Sequence, residues 1–236
     1  MSGEWRGEVI GYVKSHDVNY PAQHSIEEGR EIRVDGYSAE VIGFLGSGGE
    51  KEVYDVDIGG ERKALNLPNT VKTSEVVAEN WQDVIREPEY VDRVGEAGLI
   101  VNDQVDRSEV EIDSFSFPTV VMKRYRDHEF EIYDKKNPDE RHEFFDSFES
   151  YEELFEGSAE DIAVMIQENI NLGCDSFNIC EFEGVPRLYF SDLTDPSSGE
   201  VGERHAEYYI DHAIEAMVNT ARISHLDDVE LDHISD

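Results

Sequence analysis

The run from Ser38 to Leu67 reads as an antiparallel meander of three strands. "SAEVIGFL" has a strand pattern, and Gly46, Gly48 and Gly49 supply a bend after it. In "KEVYDVDI", Val53, Asp55 and Asp57 fall on one face and Tyr54, Val56 and Ile58 on the other, because strand side chains alternate. Gly59 and Gly60 make a hairpin turn. "ERKALNL" then returns with Ala64 and Asn66 on one face and Lys63, Leu65 and Leu67 on the other. Three glycines at the first bend let a main chain approach a ligand closely.

Around this meander the signals change type. Residues 1–35 alternate weakly, as one or two added strands or an extended arm would. Thr73 and Ser74 can cap a helix, and Pro88 breaks the helical stretch that follows, since proline removes a backbone donor. "LIVND", "EVEIDSF" and "FPTVVMKRY" read as further strands. The segment from Asp127 to Glu143 reads as a linker and surface loop. Beyond it, Phe145, Phe148 and Tyr151 recur at helical spacing, as a core stripe would. Ser158 is positioned to cap a helix ending at Gly173. "FNICEFEG" and "PRLYFSDL" make a strand pair about Gly184, and a last amphipathic helix runs from Glu203. Strands with one helical insertion, then helices with one hairpin, point to an α+β arrangement in two lobes.

Charge limits the partners. The 236 residues carry 55 acidic against 20 basic side chains, a net −35, spread along the whole chain. Such self-repulsion is screened in concentrated salt, where the Debye length is about 3 Å at 1 M. A salt-rich cytoplasm like that of halophilic archaea is the simplest expectation. The charge argues against nucleic acid and against anionic membrane surfaces. No apolar run is long enough for a transmembrane helix, and no signal-peptide core stands at the start. Cys174 and Cys180 lack a C-x-x-C spacing and read as reduced thiols.

The order of parts resembles the protein-kinase-like superfamily, in its atypical range with a small C-lobe, over roughly residues 40–196. "LGSGGEKEVY", a third strand, an acidic helix, "VVMKRY", a capped helix, "CDSFNI" and "RLYFSDL" carry the resemblance. It implies an α+β, two-lobed protein-kinase-like fold, with a β-rich N-lobe over 1–126 and a reduced helical C-lobe over 127–236. It implies binding of ATP and Mg²⁺. Gly46, Ser47, Gly48 and Gly49 would cover the phosphates, with Val53 beneath them. Met122 would border the adenine pocket, and Lys123 to Tyr125 would hold adenine by their backbone. Asn178 and Asp192 would hold magnesium, and Asp175 would be the catalytic base.

The chain departs from the family at several of these places. Lys51 stands at the third glycine position, and Asn66 stands where a phosphate-pairing lysine is usual. Lys63 is the nearest third-strand lysine, but on the opposite face of a regular strand. Glu87 or Glu89 would be the helix partner of such a lysine. The functional expectation is an ATP- and magnesium-binding domain that transfers phosphate to a protein or small-molecule hydroxyl. The alternative is a pseudokinase, catalytically inactive, that binds a protein partner.

Overall fold

The computed structural model describes residues 5–16, 24–133, 143–172, 176–191, 193 and 203–221. The chain divides into two units, residues 1–92 with 102–127, and residues 93–101 with 128–236.

Six strands of the first unit close into an antiparallel barrel. They are β1 (Glu31–Val34), β2 (Tyr37–Ser47), β3 (Lys51–Ile58), β4 (Glu61–Pro68), β6 (Val105–Ile112) and β7 (Phe115–Met122), in the order β1-β2-β3-β4-β7-β6. Turn chemistry fixes two of the hairpins. Asp35 and Gly36 both have positive φ between β1 and β2, and so do Gly59 and Gly60 between β3 and β4. That is the two-residue turn whose twist matches paired strands. Register shifts at Val41/Gly43 and Phe44/Gly46 mark bulges in β2, which bend the strand and raise its twist. β1 seals the barrel, with Val34 opposite Tyr37 on one side and Val110 on the other. One row across this sheet is acidic on three strands: Glu31 faces Glu40, and Glu40 faces Asp57.

The barrel core holds Tyr54, Val56, Leu65, Leu67, Val110 and Phe117. Two helices cover part of it: α1 (Trp5–Ser15) through Val9, Tyr12 and Val13, and α2 (Ser74–Val84) through Val77, Ala78 and Trp81. The α1 segment was expected to be strand or arm. Val9, Tyr12 and Val13 instead share a helical face, and Gly11 brings the backbone so close that a Cβ would lie 2.7 Å from the Phe115 ring. α3 (Glu87–Glu96) follows a break at Ile85 and Arg86, with Pro88 in its first turn, and the chain passes to the second unit within it.

The second unit contains a four-stranded sheet, ordered β5 (Ile100–Val101), β10 (Val185–Phe190), β9 (Phe177–Phe182) and β8 (Glu131–Tyr133). β9 and β10 are a hairpin, and β5 runs parallel to β10. α4 (Tyr151–Gln167) packs on β10 at Gly157, where a Cβ would lie 2.2 Å from the Pro186 carbonyl oxygen. Nearby, buried Asp161 accepts from the Arg187 guanidinium and, at 2.8 Å, from the Leu188 N–H. Ser150, rather than Ser158, caps α4 by accepting from the Glu153 N–H, because the aromatic stretch before Ser158 is already helical. Ser158 lies inside the helix and donates to the Phe155 carbonyl. α5 (Glu203–Ala221) is tied down by Tyr209, whose hydroxyl accepts from the Leu172 N–H at 2.8 Å.

These findings overturn the expected two-lobed kinase-like fold. The chain is built on a closed six-stranded antiparallel barrel and a second, four-stranded sheet, with helices beside them. The physical reason is β1. The segment read as an arm supplies the strand that joins β2 to β6 and removes both free edges. The expected helical lobe over 127–236 holds three strands of the second sheet. Among the described residues, no helix is long and apolar enough to cross a membrane.

Candidate functional site

Strand alternation decides which residues leave the barrel core. Tyr54, Val56, Leu65 and Leu67 point inward. Lys51, Val53 and Asp55 of β3 and Ala64 and Asn66 of β4 therefore share the outer face. Register places them in rows. Gly46 lies opposite Val53, and Val53 opposite Asn66. In the next row Gly43, Asp55, Ala64 and Met122 are successive partners.

Asn66 is fully buried, and neither its amide nitrogen nor its amide oxygen has a hydrogen-bond partner among the described residues. Its backbone is satisfied, since the Thr119 hydroxyl donates to its carbonyl. An unmet buried polar group costs about 1–3 kcal/mol. The asparagine is thus a strained choice for the protein alone.

A cation stands on the same face. Lys51 Nζ lies 3.2 Å from Glu87 Oε2, and the two side chains are 13% and 4% exposed. Desolvating two charges is expensive, so a pair of this kind persists only with good geometry. Glu89, the other candidate, belongs to a different group. It accepts from Arg107 at 3.0 Å and Arg86 at 3.4 Å, which hold its carboxyl below the usual range. Lys63 is turned away from Asn66: its Nζ lies 3.0 Å from Gln104 Oε1 and 2.6 Å from Glu61.

The glycine turn borders this face. Among Gly46, Gly48 and Gly49, none has positive φ, and a Cβ on any of them would meet nothing within 4 Å. Neither backbone conformation nor internal packing calls for glycine there. Ser47 ends β2, exposed and opposite Glu52. At the opposite end of the face, Asp55 accepts from Arg62, Arg124 and Arg126. Burial would raise its carboxyl, but Arg62 and Arg124 outweigh that and hold it below its ordinary value.

Met122 closes β7 opposite Ala64 and Val105, half-buried. Lys123 uses its backbone within the protein: its N–H donates to the Gln104 carbonyl at 2.9 Å, and its carbonyl accepts from Asn102 at 2.8 Å. Its ammonium is 3.3 Å from Asp103. Tyr125, 38% exposed, opens a short 3₁₀ turn.

In the second unit, Asn178 sits on β9 opposite Tyr189 and is nearly buried. Its amide donates to the Ser191 hydroxyl at 3.4 Å, which leaves the amide oxygen as its metal-type donor. Asp175 and Asp192 lie outside the described residues. No cluster of three or more His, Cys, Asp or Glu suited to a metal occurs among the described residues. Cys180 is buried and reduced, and burial pushes its thiol up to about 12.

Thus Gly46, Val53, Asn66 and Met122 lie on one face with Ala64, and Glu87 holds a lysine. That lysine, Lys51, is the residue sequence reasoning did not assign. Its signal was available: Lys51 alternates in phase with Val53 and Asp55. No family model matches the chain, and no curated protein matches it in sequence, so the comparisons identify no superfamily, kinase-like or other.

Proposed function

We propose that the outer face of β3, β4 and β7, edged by the glycine turn, binds the phosphates of a nucleotide, ATP by the sequence resemblance. The observation that carries this reading is Asn66, a sealed amide with both bonding groups unmet, in one row with Val53 and Gly46. A phosphate oxygen accepts from such an amide once the cover over it moves aside, and from an ammonium. Lys51 supplies the ammonium, and Glu87 holds it in place. Val53, Ala64 and Met122 offer the apolar surface a base requires. Gly46 pairs with Val53 and the Gly48 N–H donates to the Lys51 carbonyl, which leaves the exposed Gly49 N–H open to a phosphate oxygen. The resemblance also assigns magnesium, at Asn178 and Asp192, to neutralise the triphosphate. Transfer to a protein or small-molecule hydroxyl, with Asp175 as base, is the activity the resemblance assigns. A chain that binds nucleotide without transfer is the alternative.

Calorimetry in molar KCl, with and without Mg²⁺, tests the reading on the native chain, Asn66→Leu and Lys51→Ala. ATP binding by the native chain is expected, weakened by roughly tenfold or more in Lys51→Ala, since hydrogen bonds to charged groups are worth about 1.5–3 kcal/mol. Asn66→Leu removes the unmet amide at similar size, so it should raise the melting temperature and lose nucleotide. A folded native chain that binds no nucleotide refutes the proposal.

A further inference from the structure

The glycine turn is held from behind. The Asn69 amide nitrogen donates to the Gly48 carbonyl at 2.6 Å, and the Asn69 N–H donates to the Glu50 carbonyl at 2.9 Å. Asn80 of α2 donates to Glu50 Oε1 at 2.9 Å. Within the turn, the Gly48 N–H donates to the Lys51 carbonyl at 2.8 Å. Asn69 is itself fixed, since its side-chain oxygen accepts from the Val71 N–H at 2.8 Å, and it is nearly buried.

The peptide bond is planar and trans, so its carbonyl and its N–H point in opposite directions. The Gly48 carbonyl and the Gly49 N–H belong to one peptide. Asn69 directly follows β4, whereas Gly49 lies exposed in the turn. Drawing the Gly48 carbonyl toward Asn69 therefore turns the Gly49 N–H away from Asn69, on the exposed side of the turn. That N–H has no acceptor among the described residues.

We infer that Asn69 is a positioning residue: it orients the Gly48–Gly49 peptide so that the Gly49 N–H donates to a phosphate oxygen of the bound nucleotide. The inference rests on the nucleotide reading above. It makes the turn a fixed donor and not a loose flap, and it sets a preference for phosphorylated ligands over the bare nucleoside.

The test compares ATP and adenosine by calorimetry in molar KCl, on the native chain, Asn69→Ala and Asn69→Asp. Aspartate has the shape of asparagine and still accepts from the Val71 N–H, but it cannot donate to the Gly48 carbonyl. Both variants should bind ATP about tenfold more weakly, as expected for one misplaced hydrogen bond, and adenosine as well as the native chain does. Melting curves establish that each variant is folded, and Asn69→Asp decides the matter where Asn69→Ala is not. Native-like ATP binding by Asn69→Asp overturns the inference and leaves the nucleotide reading standing. Equal weakening toward both ligands marks a general loosening and also overturns it. A native chain that binds neither ligand removes the nucleotide reading, and this inference with it.

Discussion

Asp55 and Asn66 occupy the same face of the barrel and meet opposite fates. Asp55 is saturated by three arginines, whereas the Asn66 side-chain amide has no partner among the described residues. The first is a structural anchor with a pH signature. Its folded carboxyl is depressed below the unfolded value of about 3.9. A depressed carboxyl contributes stability that is complete above the unfolded pKa and disappears as pH falls through the folded one. The stability difference between the native chain and Asp55→Asn should therefore be level above about pH 5 and shrink below about pH 4. Thermal melts of the two proteins from pH 7 to pH 3 read it directly, and a gap that persists unchanged to pH 3 would contradict the assignment.

Among the elements, α4 and β10 show how closely a helix can approach a strand. Gly157 lets the α4 backbone reach the Pro186 carbonyl, beside the Asp161–Arg187 pair. Gly157→Ala must push the two elements apart, at a cost of about 1–3 kcal/mol typical of overpacking. Gly7→Ala in α1, where a Cβ meets nothing within 4 Å, should be neutral or slightly stabilising. Denaturant midpoints of the two variants check this contrast, and equal midpoints would refute it. The same elements explain what could be read in advance. The β2–β3–β4 meander, the helix break just before Pro88 and the β9–β10 hairpin were legible because turn glycines and proline act locally. Barrel closure was not, because pairing of β1 with β6 joins Arg33 to Glu111, a partner remote in sequence. α1 was hidden by Gly7 and Gly11, whose low helix propensity tertiary packing overrides. Of the site, the shared face of Val53 and Asp55, and that of Ala64 and Asn66, was legible from alternation. The burial that pairs Lys51 with Glu87 was not, since it depends on where α3 lies.

On the scale of the whole molecule, a net charge of −35 opposes the compact state in dilute solution. The melting temperature should climb steadily as KCl is raised toward molar concentrations, and an equally concentrated sugar should not reproduce the shape of that rise at low ionic strength. A melting temperature flat in KCl would refute this. The strain is not evenly shared. The acidic row Glu31, Glu40 and Asp57 crosses the seam that β1 closes, and like charges directly opposite one another weaken a strand pair. A zipper is weakest where its teeth repel, so as salt is withdrawn β1 should let go before the rest of the barrel, with its amides the first in the sheet to exchange with deuterium. Its release uncovers the flanks of β2 and β6 together, a ready template for a second chain to dock by strand exchange. Ionic strength would then govern both how firmly this protein holds its shape and whether it remains a single chain.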